Sequence, residues 1–166
     1  NTVLARNTQL AGIKGLGIDQ ILGYDRLEKD VPALSVRWDD GSAVPIYIHG
    51  RPLQRSMSMA GPGSIHERTA REFFRRFAPL LGLDGSGEAL RLASASTDEL
   101  GRGNLRFTQL RDGLPVVGKE AMCGVTPSGD LDLFMGRLVS DAMPASGSFD
   151  TTPETAIAAA SAHIAP

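Results

Sequence analysis

Asp112-Gly113 divides two runs, residues 104–111 and 114–125, in which apolar and polar side chains alternate. An Asp-Gly pair between alternating runs favours a two-residue hairpin turn, because both positions must take positive φ. The stretch Thr126-Pro-Ser-Gly-Asp130 then turns the chain again, into a third run with strand character at 131–139. Three strands in a row with short connections make a β-meander. That meander constrains the fold more than any other feature of the 166 residues.

Its surroundings follow from the same kind of reading. Ser64 is a helix N-cap candidate, and Glu67 three residues later completes a capping box. Behind it, Ile65, Phe73, Phe74, Phe77, Leu80 and Leu81 recur at helical spacing, an apolar stripe that must pack on something large. Pro79 and Gly82 end or kink this helix. A Gly/Ser loop at 84–88 leads to a possible strand in ALRLASAST. Upstream, two alternating runs flank Asp40-Gly41. Leu34, Val36 and Trp38 share one face of the first, and Val44, Ile46 and Ile48 one face of the second, so a further hairpin is expected. Pro45 lacks an N–H and argues for an edge position. Residues 56–63 have linker composition, and Gly12, Gly15, Gly17 and Gly23 mark the start as a weakly ordered lead-in. From Thr151 or Thr152, with Pro153 in the first turn and Glu154 near it, an alanine-rich helix runs to the end. Such a helix is marginal alone, so it reads as the first element of a further unit. The expected divisions are therefore 1–30 as lead-in, 31–62 as hairpin and linker, 63–150 as helix plus sheet, and 151–166 as an opening helix.

The chemistry-bearing residues form no catalytic set. HERTA at 66–70 is half of a zinc-protease helix, but the second histidine it needs is Ala70, so Glu67 is better read as a helix cap. His49, His66 and His163 are scattered and not spaced with Cys123 for metal binding. No G-x-S-x-G occurs. Gly85-Ser-Gly87 and Gly101-Arg-Gly103 begin dinucleotide-type loops, yet Leu90 and Arg106 stand where the third glycine belongs. Arg68, Arg71, Arg75 and Arg76 suggest a basic patch, but Glu67–Arg71 and Glu72–Arg76 at i,i+4 balance it. A net charge of −2 argues against phosphate-driven nucleic-acid binding, and no apolar run reaches the ~18 residues of a membrane span. The single cysteine excludes an intramolecular disulfide.

NLRFTQLRDGLPVVGKEAMCGVTPSGDLDLFMGRL resembles the core of the fungalysin/thermolysin propeptide domain. In that family a strand ending in glutamine is followed by a Gly-x-Pro-Val turn, a glycine, an apolar strand and a Gly-centred turn. Gln109, Gly113, Pro115, Val116, Gly118 and Gly129 match that order. RTAREFFRRFAPLLGL resembles the family's preceding helix, and TTPETAIAAASAHI is similar to the first helix of the PepSY-type domain that follows it. The resemblance implies an α+β, cystatin-like arrangement, a helix packed on an antiparallel meander, here with an additional N-terminal β-hairpin. It also implies a non-catalytic pro-region of a secreted or periplasmic zinc metalloprotease, acting in cis on the catalytic domain as intramolecular chaperone and inhibitor. Zinc would belong to that domain, and no cofactor to this segment. CGV at 123–125 resembles the cysteine-switch segment of matrix metalloprotease propeptides, but its flanking residues differ, and a mid-strand Cys123 is ordinarily a small buried hydrophobe. The competing reading is a free-standing cystatin-like module gripping a peptide or envelope ligand through a sheet edge.

Overall fold

The computed structural model describes residues 13, 15–39, 43–56 and 63–140, with single positions between 152 and 161. In chain order the elements are α1 (Ile18–Asp30), β1 (Ser35–Trp38), β2 (Pro45–Gln54), α2 (Ile65–Arg76), β3 (Leu90–Thr97), β4 (Gly103–Arg111), β5 (Leu114–Val125) and β6 (Leu131–Gly136). All six strands join one antiparallel sheet in the order β1-β2-β6-β5-β4-β3. The fold is α+β, two helices packed on that sheet.

The meander owes its shape to its turns. Asp112 and Gly113 take φ of 51° and 76°, the pair of positive values that lets β5 fold straight back on β4. Helix α2 begins as its cap demands, with Ser64 Oγ accepting the Glu67 N–H at 3.1 Å. Its stripe meets the sheet through rings. Phe73 lies 5.9 Å from Phe134, and Phe74 meets Phe107 edge-to-face at 4.9 Å. All four rings are buried, together with Phe77, Leu80 and Leu81.

The structure corrects three expectations. Residues 1–12 and 14 lie outside the described residues, and residues 18–30 of the glycine-punctuated start form a helix, α1, where a weakly ordered lead-in is expected. Gly17 is its N-cap, and Gly23 lets the helix approach the turn after α2, where a Cβ would stand 3.0 Å from Leu80. Tyr24 and Leu27 are thereby buried. Strands β1 and β2 pair antiparallel, and β2 also pairs with β6, so both continue the meander's own sheet. Pro45 consequently lies on an interior strand; it is tolerated because it is the first residue of β2, at a register shift opposite Trp38. Arg76 bonds Asp30 of α1 at 2.6 Å, leaving Glu72 to pair with Arg75 at i,i+3. The Asp40-Gly41 turn, most of the 56–63 linker and most of the final helix lie outside the described residues.

Candidate functional site

Five of the six family-like residues, Gln109, Gly113, Pro115, Val116 and Gly118, gather at the far end of the β4–β5 hairpin, and Gly129 lies apart from them in the β5–β6 turn. Thr108 pairs with Glu120 and Leu110 with Pro115, so Gln109 alone faces four residues of β5, Val116 to Lys119. Strand β5 must bulge there, and Gly118 turns it with φ +69°. The bulge throws Val117 outward to 95% exposure, beside Leu114 at 68%.

At the same point a side chain of β4 reaches past β5 to the segment that follows β6. Gln109 is fully buried. Its amide Nε2 donates to the Val139 carbonyl at 2.7 Å, and its Oε1 accepts the Val139 N–H at 2.9 Å. A glutamine amide can present one N–H and its C=O on the same side, as a strand residue presents its own N–H and C=O, so it serves the chain after β6 as a strand neighbour would. The expected third strand therefore stops at Gly136, and residues 137–140 are tethered sideways. Arg137 N–H donates to the Glu120 carbonyl at 3.0 Å, and the Arg111 guanidinium donates to the Ser140 carbonyl at 2.9 Å. Gly82 makes room for this segment, since a Cβ there would stand 2.9 Å from Ser140 Cα. Nothing local in the sequence marks Val139 or Arg111 as partners.

The β5–β6 turn closes the opposite end of the sheet. Gly129 has φ +88°, and a Cβ on it would stand 2.7 Å from Ser56 Oγ. Ser56 N–H donates to Asp130 Oδ1 at 2.6 Å, clasping the exit of β2 to that turn. Gly118→Ala is expected to cost about 1 kcal/mol, the left-handed strain alone. Gly129→Ala adds a clash with Ser56 and should cost roughly twice that or more, read by urea unfolding. Equal losses would show that the clasp is loose.

Arg102 forms a two-bond pair with the nearly buried Asp132, at 2.8 and 3.2 Å. The Asp132 hydrogen bond holds the guanidinium pKa above its usual value. The helix arginines are similarly engaged. Arg71 bonds Glu67 at 2.8 Å, and Arg75 bonds Glu72. Between α2 and the 83–90 loop lies a groove of about 340 Å³, with Phe74, Ala78, Leu83 and Leu90 along it.

Cys123 sits in the core at 2% exposure, and burial pushes its thiol well above the ordinary range. Burial there disfavours the thiolate form that a metal would need. Native protein is expected to leave an aromatic disulfide reagent unreacted until denaturant is added; full-rate labelling without denaturant would show that β5 opens. Among the described residues no group of three or more His, Cys, Asp or Glu could hold a metal, and no helix is long and apolar enough to cross a membrane.

No curated protein and no solved structure gives a significant match to this chain. One family model does, over just under a third of its length: residues 88–138, from the approach to β3 through Leu138, match the Fungalysin/Thermolysin Propeptide Motif.

Proposed function

We propose that this chain is a non-catalytic pro-region that acts in cis on the catalytic domain of a thermolysin- or fungalysin-like zinc metalloprotease, as intramolecular chaperone and inhibitor. The match over residues 88–138 carries the reading. In it, zinc belongs to the catalytic domain, the α+β unit is a cystatin-like scaffold, the segment from Thr151 opens a PepSY-like domain, and the precursor is secreted or periplasmic.

The physical task is mass action. A segment that binds folded protease but not the unfolded chain stabilises the fold by RT ln(1 + [L]/Kd), and tethering raises the effective concentration to about millimolar. At a micromolar Kd that supplies roughly 4 kcal/mol without any free ligand. Gln109 and Arg111 suit the task, because they fix how the chain leaves the sheet at Ser140.

The reading frame beyond Pro166 is the test. A downstream helix with H-E-x-x-H and a later carboxylate ligand is expected; a stop codon soon after Pro166 sinks the proposal. Among the described residues β3 pairs only with β4, and this edge supports the second reading of a module that adds a peptide strand. That reading requires extended peptides to bind and to protect the amides of Leu90–Thr97 from exchange.

A further inference from the structure

The sheet has two faces, and the described helices lie on one of them. Ile48, Phe107, Cys123 and Phe134 are buried on that helix side. Their strand neighbours alternate to the other, and the register aligns them into one row across all six strands: Arg37, Tyr47, Met135, Met122, Arg106 and Ser94. At ~4.8 Å per strand the row spans about 24 Å. Met122 and Met135, at its centre, are 40% and 37% exposed. Arg37 lies over the Tyr47 ring at 5.6 Å, and Tyr47 stacks on His49 at 6.4 Å. The half-buried Leu133 pairs with His49 in the next row.

An apolar centre of two methionines and a tyrosine, edged by arginines, has the composition of an interface core. Its charge points to the kind of partner. Among the described residues, Arg37, Arg91 and Arg106 stand on the paired strands of this face against Glu120, which pairs with Arg106 at 3.6 Å; the Arg102–Asp132 pair beside Gly124 adds no net charge, so the face is cationic on a chain whose net charge is −2. A second copy would press two cationic faces together, which disfavours self-association. A protein surface with an apolar patch rimmed by carboxylates is complementary.

We infer that this open sheet face, centred on Met122 and Met135, docks on an acid-rimmed apolar patch of the catalytic domain in the same precursor. The inference rests on the propeptide reading and assigns its contact surface.

The experiment is calorimetric titration of this chain against the mature peptidase of its own precursor. Combined Met122→Glu and Met135→Glu is expected to weaken binding roughly 30-fold or more, the loss typical of central interface residues, with the melting temperature little changed. Should that variant lose its cooperative melt, Met122→Ser with Met135→Ser reads the same surface. If the wild type binds and the folded variants bind equally well, the docking face is wrong while the propeptide reading stands. If the wild type does not bind at all, the propeptide reading falls and takes the inference with it. Dimerisation of the wild type in light scattering, or its binding to phosphatidylglycerol vesicles, would also overturn the assignment if either were abolished by the same substitutions.

Discussion

Gln109→Ala is expected to lower the unfolding free energy by about 3 kcal/mol, a large effect for a polar residue on a strand. The substitution strips both hydrogen bonds from Val139. An unsatisfied buried backbone group costs roughly 1–3 kcal/mol, and two are created together, with some relief as the 137–140 segment loosens. Gln109→Leu keeps the volume and should recover little. Gln109→Glu separates hydrogen bonding from packing. A protonated carboxyl can donate to the Val139 carbonyl and accept its N–H, whereas a carboxylate can only accept. Burial raises the pKa of the introduced acid above its unfolded value of about 4.3. Its favourable contribution is therefore present below the unfolded pKa and is lost as pH rises through the raised folded value. Urea unfolding of Gln109→Glu against wild type should show a small deficit near pH 4 and a large one near pH 7. A deficit independent of pH would remove Gln109 from the role of clamp.

Gln109 also shows how much of the site was legible. It falls in the inward phase of β4 with Leu105 and Phe107, so alternation alone puts a polar side chain among core positions. Its partner was not legible, because Val139 lies thirty residues away and is bonded only through its backbone. The meander strands were readable because alternation and turn chemistry are local, and their observed bounds fall close to the expected ones. Strand β6 ended early because the apolar pattern of 131–139 continues past the point where the chain leaves the ladder. Helix α1 was hidden because Gly17 and Gly23 look like breakers, yet one is a cap and the other a close-packing point against Leu80. The partner of Arg76 was hidden for a related reason: Asp30 belongs to that unrecognised helix. The outer row needed the register of all six strands, which no single stretch contains.

Phe73→Ala is expected to be the most destabilising single change in the helix–sheet interface, by about 3–5 kcal/mol. The ring is fully buried, with centroids of Phe74, Phe77 and Phe134 at 6.1, 5.3 and 5.9 Å. It meets two rings of its own helix segment and one of β6, so the hole left by its removal is walled by two elements that cannot both close on it. At roughly 2–4 °C per kcal/mol for a chain of this size, the melting temperature should fall by about 6–20 °C. Ile65→Ala, at the exposed start of the same helix, controls for helix propensity and should cost about 1 kcal/mol or less. A double-mutant cycle between Phe73 and Phe134 should return a coupling of about 1 kcal/mol beyond additivity. Because the ring holds α2 against β6, and β6 carries Met135 on its opposite face, Phe73→Ala should also speed amide exchange along Leu131–Gly136. A loss below about 1.5 kcal/mol, or unchanged exchange in β6, would mean that the sheet holds its shape without the helix and that α2 is a cover, not a support.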